Sequence, residues 1–137
     1  MTARRTTVVA LFALSLLGVA LLTLLPAGAG WAWGSPAAEL HWYATSLDSE
    51  TAMLQLLGNL ALLAPPAVLA VLLWPALASP LRLAALALAS GTAIELLQWA
   101  LSLGRVVSPL DALLNATGVI AAGLLVSRVL RHSSATL

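Results

Sequence analysis

Four long apolar segments alternate with shorter polar stretches along the chain. Apolar side chains dominate residues 8–25, 54–74, 83–101 and 110–130. An α-helix rises about 1.5 Å per residue and needs roughly 20 apolar residues to cross the hydrocarbon core of a bilayer. Each segment is close to that length. The pattern therefore predicts an all-α integral membrane bundle of four transmembrane helices, forming a single domain over residues 1–137.

The polar stretches have the composition of helix ends and turns. Residues 26–53 combine Gly, Pro and Ser with acidic residues and are predicted to form a loop. Residues 75–82 contain two prolines, and residues 102–109 contain a glycine, an arginine and a proline. Pro65 and Pro66 lie inside the second apolar segment. They are expected to kink that helix, since neighbouring helices in a membrane can satisfy the freed backbone groups.

Composition argues against a water-soluble fold. The chain is 61% hydrophobic and only 8% charged, whereas soluble domains are about 45–50% apolar and about 25% charged. A core formed by 137 residues is too small to bury that much apolar surface, so lipid must cover most of it. The chain has no lysine and its arginines are scattered, which excludes a basic stripe for nucleic acid. No cysteine is present, and neither a metal nor a cofactor is expected.

The arginines predict how the helices are oriented, because cytoplasmic loops carry an excess of Lys and Arg. With a cytoplasmic N-terminus, five of the six arginines lie inside and only Arg105 lies outside. In the opposite orientation, five lie outside and only Arg105 lies inside. Both termini are therefore predicted to be cytoplasmic, with residues 26–53 as an outer loop of a cell-membrane protein. The arginines predicted to lie inside are Arg4, Arg5, Arg82, Arg128 and Arg131.

The first apolar segment also allows a second interpretation. Two arginines, an apolar run and the small residues at 27–29 are together similar to a secretory signal with a cleavage site. However, residues 8–25 are longer than the usual apolar region of such a signal, which has about 7–15 residues. This length favours a retained transmembrane helix.

Polar side chains within the apolar segments are the candidates for function. A charged residue at the centre of a transmembrane helix costs at least roughly 2.5–3.5 kcal/mol on insertion scales, so it needs a partner or a task. Glu95 and Gln98 are three residues apart and share one helical face, and Asp111 and Asn115, four apart, share another. The predicted orientation places both pairs in the outer halves of their helices.

Two further residues complete a predicted polar cluster near the outer face. Asn59 lies in the second apolar segment, with Gln55 one turn before it, and Arg105 lies in the turn between the last two helices. The inner half of the bundle has no comparable group of polar residues. The candidate ligand-binding residues are Asn59, Glu95, Gln98, Arg105, Asp111 and Asn115.

The order and spacing of these residues resemble the VanZ-like membrane protein family over roughly residues 10–127. The resemblance is carried by Leu24-Leu25-Pro26, Gly58-Asn59, Ile94-Glu95-Leu96-Leu97-Gln98, Arg105, Asp111, Asn115 and Gly118. Members often have several aspartates before the last helix, where this chain has Ser108, Pro109 and Leu110 ahead of Asp111. The resemblance implies a small bacterial envelope protein, linked in the family's namesake to low-level resistance to the glycopeptide teicoplanin.

Three functions use the polar cluster as a unit. The protein could bind a polar lipid headgroup or a lipid-linked cell-wall precursor at the outer leaflet, with Arg105 for phosphate and the amides for sugar or peptide. The expected partners are then membrane lipids, such a precursor or a glycopeptide. An alternative is an enzyme in which Glu95 and Asp111 act as acid and base, or hold a divalent cation. A second alternative is a small transporter with Glu95 as its proton or ion site.

Each feature also has a purely structural interpretation. Glu95 could form a buried ion pair with Arg105 that fixes how two helices meet. Asn59, Gln98 and Asn115 could be interhelical hydrogen-bonding residues, typically worth about 0.6 kcal/mol each in a membrane. The apolar segments contain no His, Cys or Ser nucleophile constellation, which argues against the enzyme. A polar path confined to the outer half argues against the transporter.

Overall fold

Four helical stretches of the computed structural model are long and apolar enough to cross a membrane. The structure describes residues 3–135, and within this range the four stretches are Ala3–Leu24, Glu50–Leu73, Pro80–Ala100 and Pro109–His132. The predicted helical membrane bundle is confirmed in this respect. The helices begin and end a few residues away from the apolar segments, because they continue into polar flanking residues such as Arg4 and Glu50.

The complete set of elements includes two strands that the sequence pattern did not predict. The helices are α1 (Ala3–Leu24), α2 (Pro36–Thr45), α3 (Glu50–Leu62), α4 (Ala64–Leu73), α5 (Pro80–Ala100) and α6 (Pro109–Ala135), and the strands are β1 (Gly30–Trp33) and β2 (Leu103–Val107). A 3-10 turn covers Pro75–Ala78. Helices α3 and α4 together make one membrane-length unit. The break between them lies just before Pro65, where a missing N–H is best tolerated at a helix start.

The segment predicted as a loop is largely ordered. Residues 26–53 contain β1, α2 and the start of α3, and β1 pairs in parallel with β2. Trp31 is opposite Arg105, and Trp33 is opposite Val107. Gly104 has a φ of +69°, and a Cβ there would overlap the backbone of Gly28, so glycine is required at this crossing. Strands of four and five residues are too short to show a reliable alternation of apolar and polar positions.

Helix α6 is the centre of the bundle. It packs against α3, α4 and α5, while α1 packs against α4 and α5. Small residues allow the closest approaches: a Cβ on Gly91 would lie 2.5 Å from the carbonyl oxygen of Ala112. The outer surface is apolar, with Leu14 62% and Leu22 67% exposed. This surface requires lipid rather than water around it.

The two ends of the bundle differ. At one end, which we call the terminal end, Arg4 and Arg5 line a cavity together with Leu73 and Leu130. The other end carries α2, β1 and β2, and we call it the loop end. There the Gln98 side-chain nitrogen donates a hydrogen bond to the Thr23 carbonyl oxygen at 3.1 Å. This contact ties the end of α1 into the bundle.

Candidate functional site

A buried serine organises the loop end of the bundle. Ser108 is fully buried and immediately precedes α6. Its hydroxyl accepts a hydrogen bond from the backbone N–H of Asp111 at 3.1 Å and donates one to a carboxylate oxygen of Glu39 in α2. Its own backbone N–H donates to Oε2 of Glu95 at 2.7 Å. Ser108 therefore connects α2, α5 and α6.

Sequence reasoning missed Ser108 and Glu39 as members of this junction. A signal for Ser108 was present, because Ser followed by Pro at the first helical position is a common helix start. Glu39 carried no comparable signal. Its approach to Ser108 depends on how α2 folds over the bundle.

Arg105 in β2 is bound to the end of α1 rather than to Glu95. Its Nε and Nη2 atoms donate to the carbonyl oxygen of Leu25 at 3.3 and 3.1 Å. A cation suits this position, because the last carbonyls of a helix are unpaired and carry partial negative charge. Within residues 3–135, Glu95 and Arg105 form no ion pair, and the remaining guanidinium donors make no hydrogen bond. The contact with Leu25 fixes the guanidinium and leaves donors for a ligand.

A cavity of about 500 Å³ lies beside Arg105 at the loop end. We call it the polar groove. Its polar lining consists of Thr23, Gln55, Asn59, Gln98, Arg105 and Asp111. Leu22, Leu54 and Leu62 also line it, and the first two are more than 60% exposed on the lipid-facing surface. The polar groove therefore places polar groups next to a surface suited to acyl chains.

Three buried polar atoms close to the groove have no hydrogen-bond partner among the described residues. They are the Tyr43 hydroxyl, Oδ1 of Asp111 and Oδ1 of Asn115. The Asn115 nitrogen does donate to the Asp111 carbonyl at 2.9 Å, but its oxygen is left unpaired although the residue is only 1% exposed. An unpaired buried polar group costs about 1–3 kcal/mol. Such groups are consistent with a site that is completed by a ligand or by water.

Tyr43 contributes a protonated hydroxyl to this region. Burial, followed by the nearby carboxylates of Asp111 and Glu39, raises the pKa of Tyr43 to about 12, although the side chains of Gln55 and Asn59 act in the opposite direction. Those two amides lie close to the hydroxyl without forming a hydrogen bond of normal geometry. A phenol is already protonated at physiological pH at its ordinary pKa of about 10, and the raised pKa extends the range over which the Tyr43 hydroxyl can donate to higher pH.

The structure brings four of the six candidate residues to one cavity. Asn59, Gln98, Arg105 and Asp111 line the polar groove. Asn115 is buried one helical turn beyond Asp111. Glu95 does not line the polar groove and instead lines a separate cavity of about 570 Å³. Tyr43 was not among the candidates, because α2 belongs to the segment predicted as a loop.

The arrangement of acidic residues bears on catalysis. Glu95 and Asp111 line different cavities, whereas an acid and a base acting on one bond would have to reach the same substrate. Within residues 3–135, no three His, Cys, Asp or Glu side chains are grouped so that they could hold a metal ion.

Comparison with known proteins identifies a family. The family model described as VanZ/LLP1 matches residues 8–131, a range that includes every residue discussed at the loop end. Neither a curated protein nor a solved structure matches the chain.

Proposed function

The chain belongs to the VanZ-like family, and from this premise we propose that its polar groove binds the phosphate-bearing headgroup of an outer-leaflet lipid or lipid-linked cell-wall precursor. The proposal rests on one observation above all. A fixed arginine, three side-chain amides and one carboxylate meet in a cavity that borders exposed leucines. A polar headgroup and its apolar chain need these two kinds of surface side by side.

The chemistry of the groove indicates which headgroup would bind. The free donors of Arg105 suit phosphate, because guanidinium groups make charge-assisted hydrogen bonds to phosphate oxygens. The unpaired Oδ1 of Asp111, which lines the groove, requires a donor, and a hydroxyl or ammonium group supplies one. The best ligand therefore carries a phosphate and, within a few bonds of it, hydroxyl or ammonium groups. Sugar phosphates and common phospholipid headgroups have this combination.

The alternatives have less support. Enzymatic action through Glu95 and Asp111 would require both carboxylates at one substrate, and they line different cavities. A transporter would need polar groups that continue toward the terminal end. The buried residues there are apolar and include Leu63, Val71 and Leu83, apart from Ser127, whose hydroxyl donates to the Gly123 carbonyl within its own helix.

We expect Arg105→Gln to weaken headgroup binding by about tenfold or more. The substitution removes a charge-assisted hydrogen bond, which is worth about 1.5–3 kcal/mol. The measurement is native mass spectrometry of the protein in maltoside micelles, titrated with phosphatidylglycerol or with a polyprenyl phosphate.

In a glycopeptide-sensitive host, the parent protein is further expected to change teicoplanin susceptibility, and the Arg105→Gln variant is expected to lose that effect.

Arg82→Gln is the matched control for this experiment. Arg82 also donates to a backbone carbonyl, that of Ala76, but it is exposed and lies at the terminal end. The Arg82→Gln substitution should leave headgroup binding unchanged. Equal affinities for the parent and both variants would contradict the proposed role of the polar groove.

The outer-leaflet assignment depends on the orientation that the arginines predict, and cysteine labelling tests it. Ser46 follows α2 at the loop end, and Ser79 precedes α5 at the terminal end. We expect an impermeant thiol reagent to label Ser46→Cys in intact cells and Ser79→Cys only after permeabilisation. The chain has no other cysteine, so the signal is unambiguous. The reverse result would place the groove in the inner leaflet.

A further inference from the structure

The cavity that contains Glu95 has a wall of tryptophans. We call it the tryptophan cavity, and Trp31, Trp33 and Trp99 line it together with Glu95. Trp31 and Trp33 are two residues apart in β1 and so point to the same side of the strand, while Trp99 is one helical turn beyond Glu95 in α5. Pairing of β1 with β2 brings the strand to the end of α5.

The ring surfaces of these tryptophans are available to a ligand. Trp31 is 49%, Trp33 63% and Trp99 50% exposed. In the described part of the chain, the only aromatic ring contacts involve other residues, namely Phe12 with Trp74 and Trp42 with Tyr43. The cavity, of about 570 Å³, falls in the usual range of about 300–1,000 Å³ for small-molecule sites.

Glu95 supplies a carboxyl group at the buried side of the cavity, and a bound cation would favour its ionised form. It is only 8% exposed, and the Ser108 N–H that binds its Oε2 lies at the N-terminus of α6. The positive end of the helix dipole favours a carboxylate at that position. The second oxygen, Oε1, makes no hydrogen bond among the described residues. No described arginine or histidine lines the cavity, so a bound cation would meet the Glu95 carboxyl without a competing positive charge.

We infer that the tryptophan cavity binds the ammonium group of a membrane amphiphile. Electron-rich indole faces and one carboxylate are the groups that recognise alkylammonium ions, through cation–π contacts and charge. The chain of the amphiphile lies along Leu88, Leu96 and Leu113, which line the same cavity and are exposed toward lipid. This site is separate from the polar groove and does not depend on the headgroup proposal.

The test compares two amphiphiles that share a chain and differ in net charge. Dodecyltrimethylammonium carries a positive charge, and dodecyldimethylamine oxide at pH 8 carries none. Binding to the purified full chain in maltoside micelles is followed by native mass spectrometry. We expect the parent protein to bind the ammonium probe at least about tenfold more tightly. Trp33→Leu and Trp99→Leu should each weaken that binding by about threefold to thirtyfold.

Three further variants make the result decisive. Trp74→Leu removes an exposed tryptophan that does not line this cavity, so ammonium binding should be unchanged. Glu95→Gln keeps an acceptor for Ser108 but removes the carboxylate, and should reduce the preference for the ammonium probe to the part that the tryptophans supply. Arg105→Gln should leave the preference intact, which separates this site from the polar groove.

Two results would overturn the inference. One is equal binding of both probes by the parent, which would make the cavity a site for apolar chains only. The other is that Trp33→Leu and Trp99→Leu bind the ammonium probe as Trp74→Leu does. If Glu95→Gln fails to fold, these two tryptophan variants decide the question, because their side chains are half exposed or more and their replacement leaves the core unchanged.

Discussion

Gly118→Ala is expected to destabilise the bundle by at least about 2 kcal/mol, because the added Cβ would overlap the carbonyl group of Leu60 in α3. The clash is with backbone, so no side-chain rotation relieves it. Helices α3 and α6 would have to separate, and α6 is the helix that packs against three others. Transmembrane helices depend on such close approaches, since burial in lipid supplies no hydrophobic force between them. The measurement is the free energy of unfolding in mixed micelles, with the melting temperature as a second readout.

Gly58→Ala is the matched control. Gly58 lies in α3, the partner helix, but a Cβ there meets nothing within 4 Å. This substitution should be neutral or stabilise by up to about 1 kcal/mol, because alanine favours the helix over the unfolded chain. If Gly118→Ala and Gly58→Ala have the same melting temperature, the close contact between α3 and α6 is wrong.

Asn115→Leu is expected to keep or increase the stability of the protein while weakening headgroup binding by about threefold. In the absence of ligand, the unpaired Oδ1 costs about 1–3 kcal/mol, which leucine of similar size removes. The lost bond to the Asp111 carbonyl is worth only about 0.6 kcal/mol in a membrane. Asn115 does not itself line the polar groove. Binding falls because the bond from its side-chain nitrogen to the Asp111 carbonyl, which helps to hold Asp111 at the groove, is lost. Thermal melting and native mass spectrometry of the same preparation measure the two effects.

Asn115→Leu distinguishes a role of Asn115 in headgroup binding from a role only in helix packing. Thr117→Val is its control, since the Thr117 hydroxyl is on the exposed side of α6 and bonds only to the Leu113 carbonyl. The control should change neither stability nor binding. A clear loss of stability in Asn115→Leu with unchanged binding would show that Asn115 serves helix packing alone.

The sequence by itself determined the four candidate membrane spans and the gathering of polar residues near one end of the bundle. The thickness of the hydrocarbon core sets helix length, so apolar runs near 20 residues indicate spans without any knowledge of their neighbours. The regular rise of a helix then places Asn59, Gln98 and Asp111 near one end of the bundle, where the structure has them. The break before Pro65 follows from the missing N–H of proline. These properties are local, and each can be derived from one segment at a time.

Only the tertiary structure decided which polar groups meet. The helical period predicts that Glu95 and Gln98 share a face of α5. In the structure Glu95 lines the tryptophan cavity and Gln98 lines the polar groove, because the two cavities lie on either side of that face. Arg105 binds the Leu25 carbonyl rather than Glu95, since β2 pairs with a strand about 70 residues away in sequence. Rotation of α6 about its own axis is set by contacts such as Gly91 with Ala112. Such contacts join residues that are distant in sequence, and no local pattern encodes them.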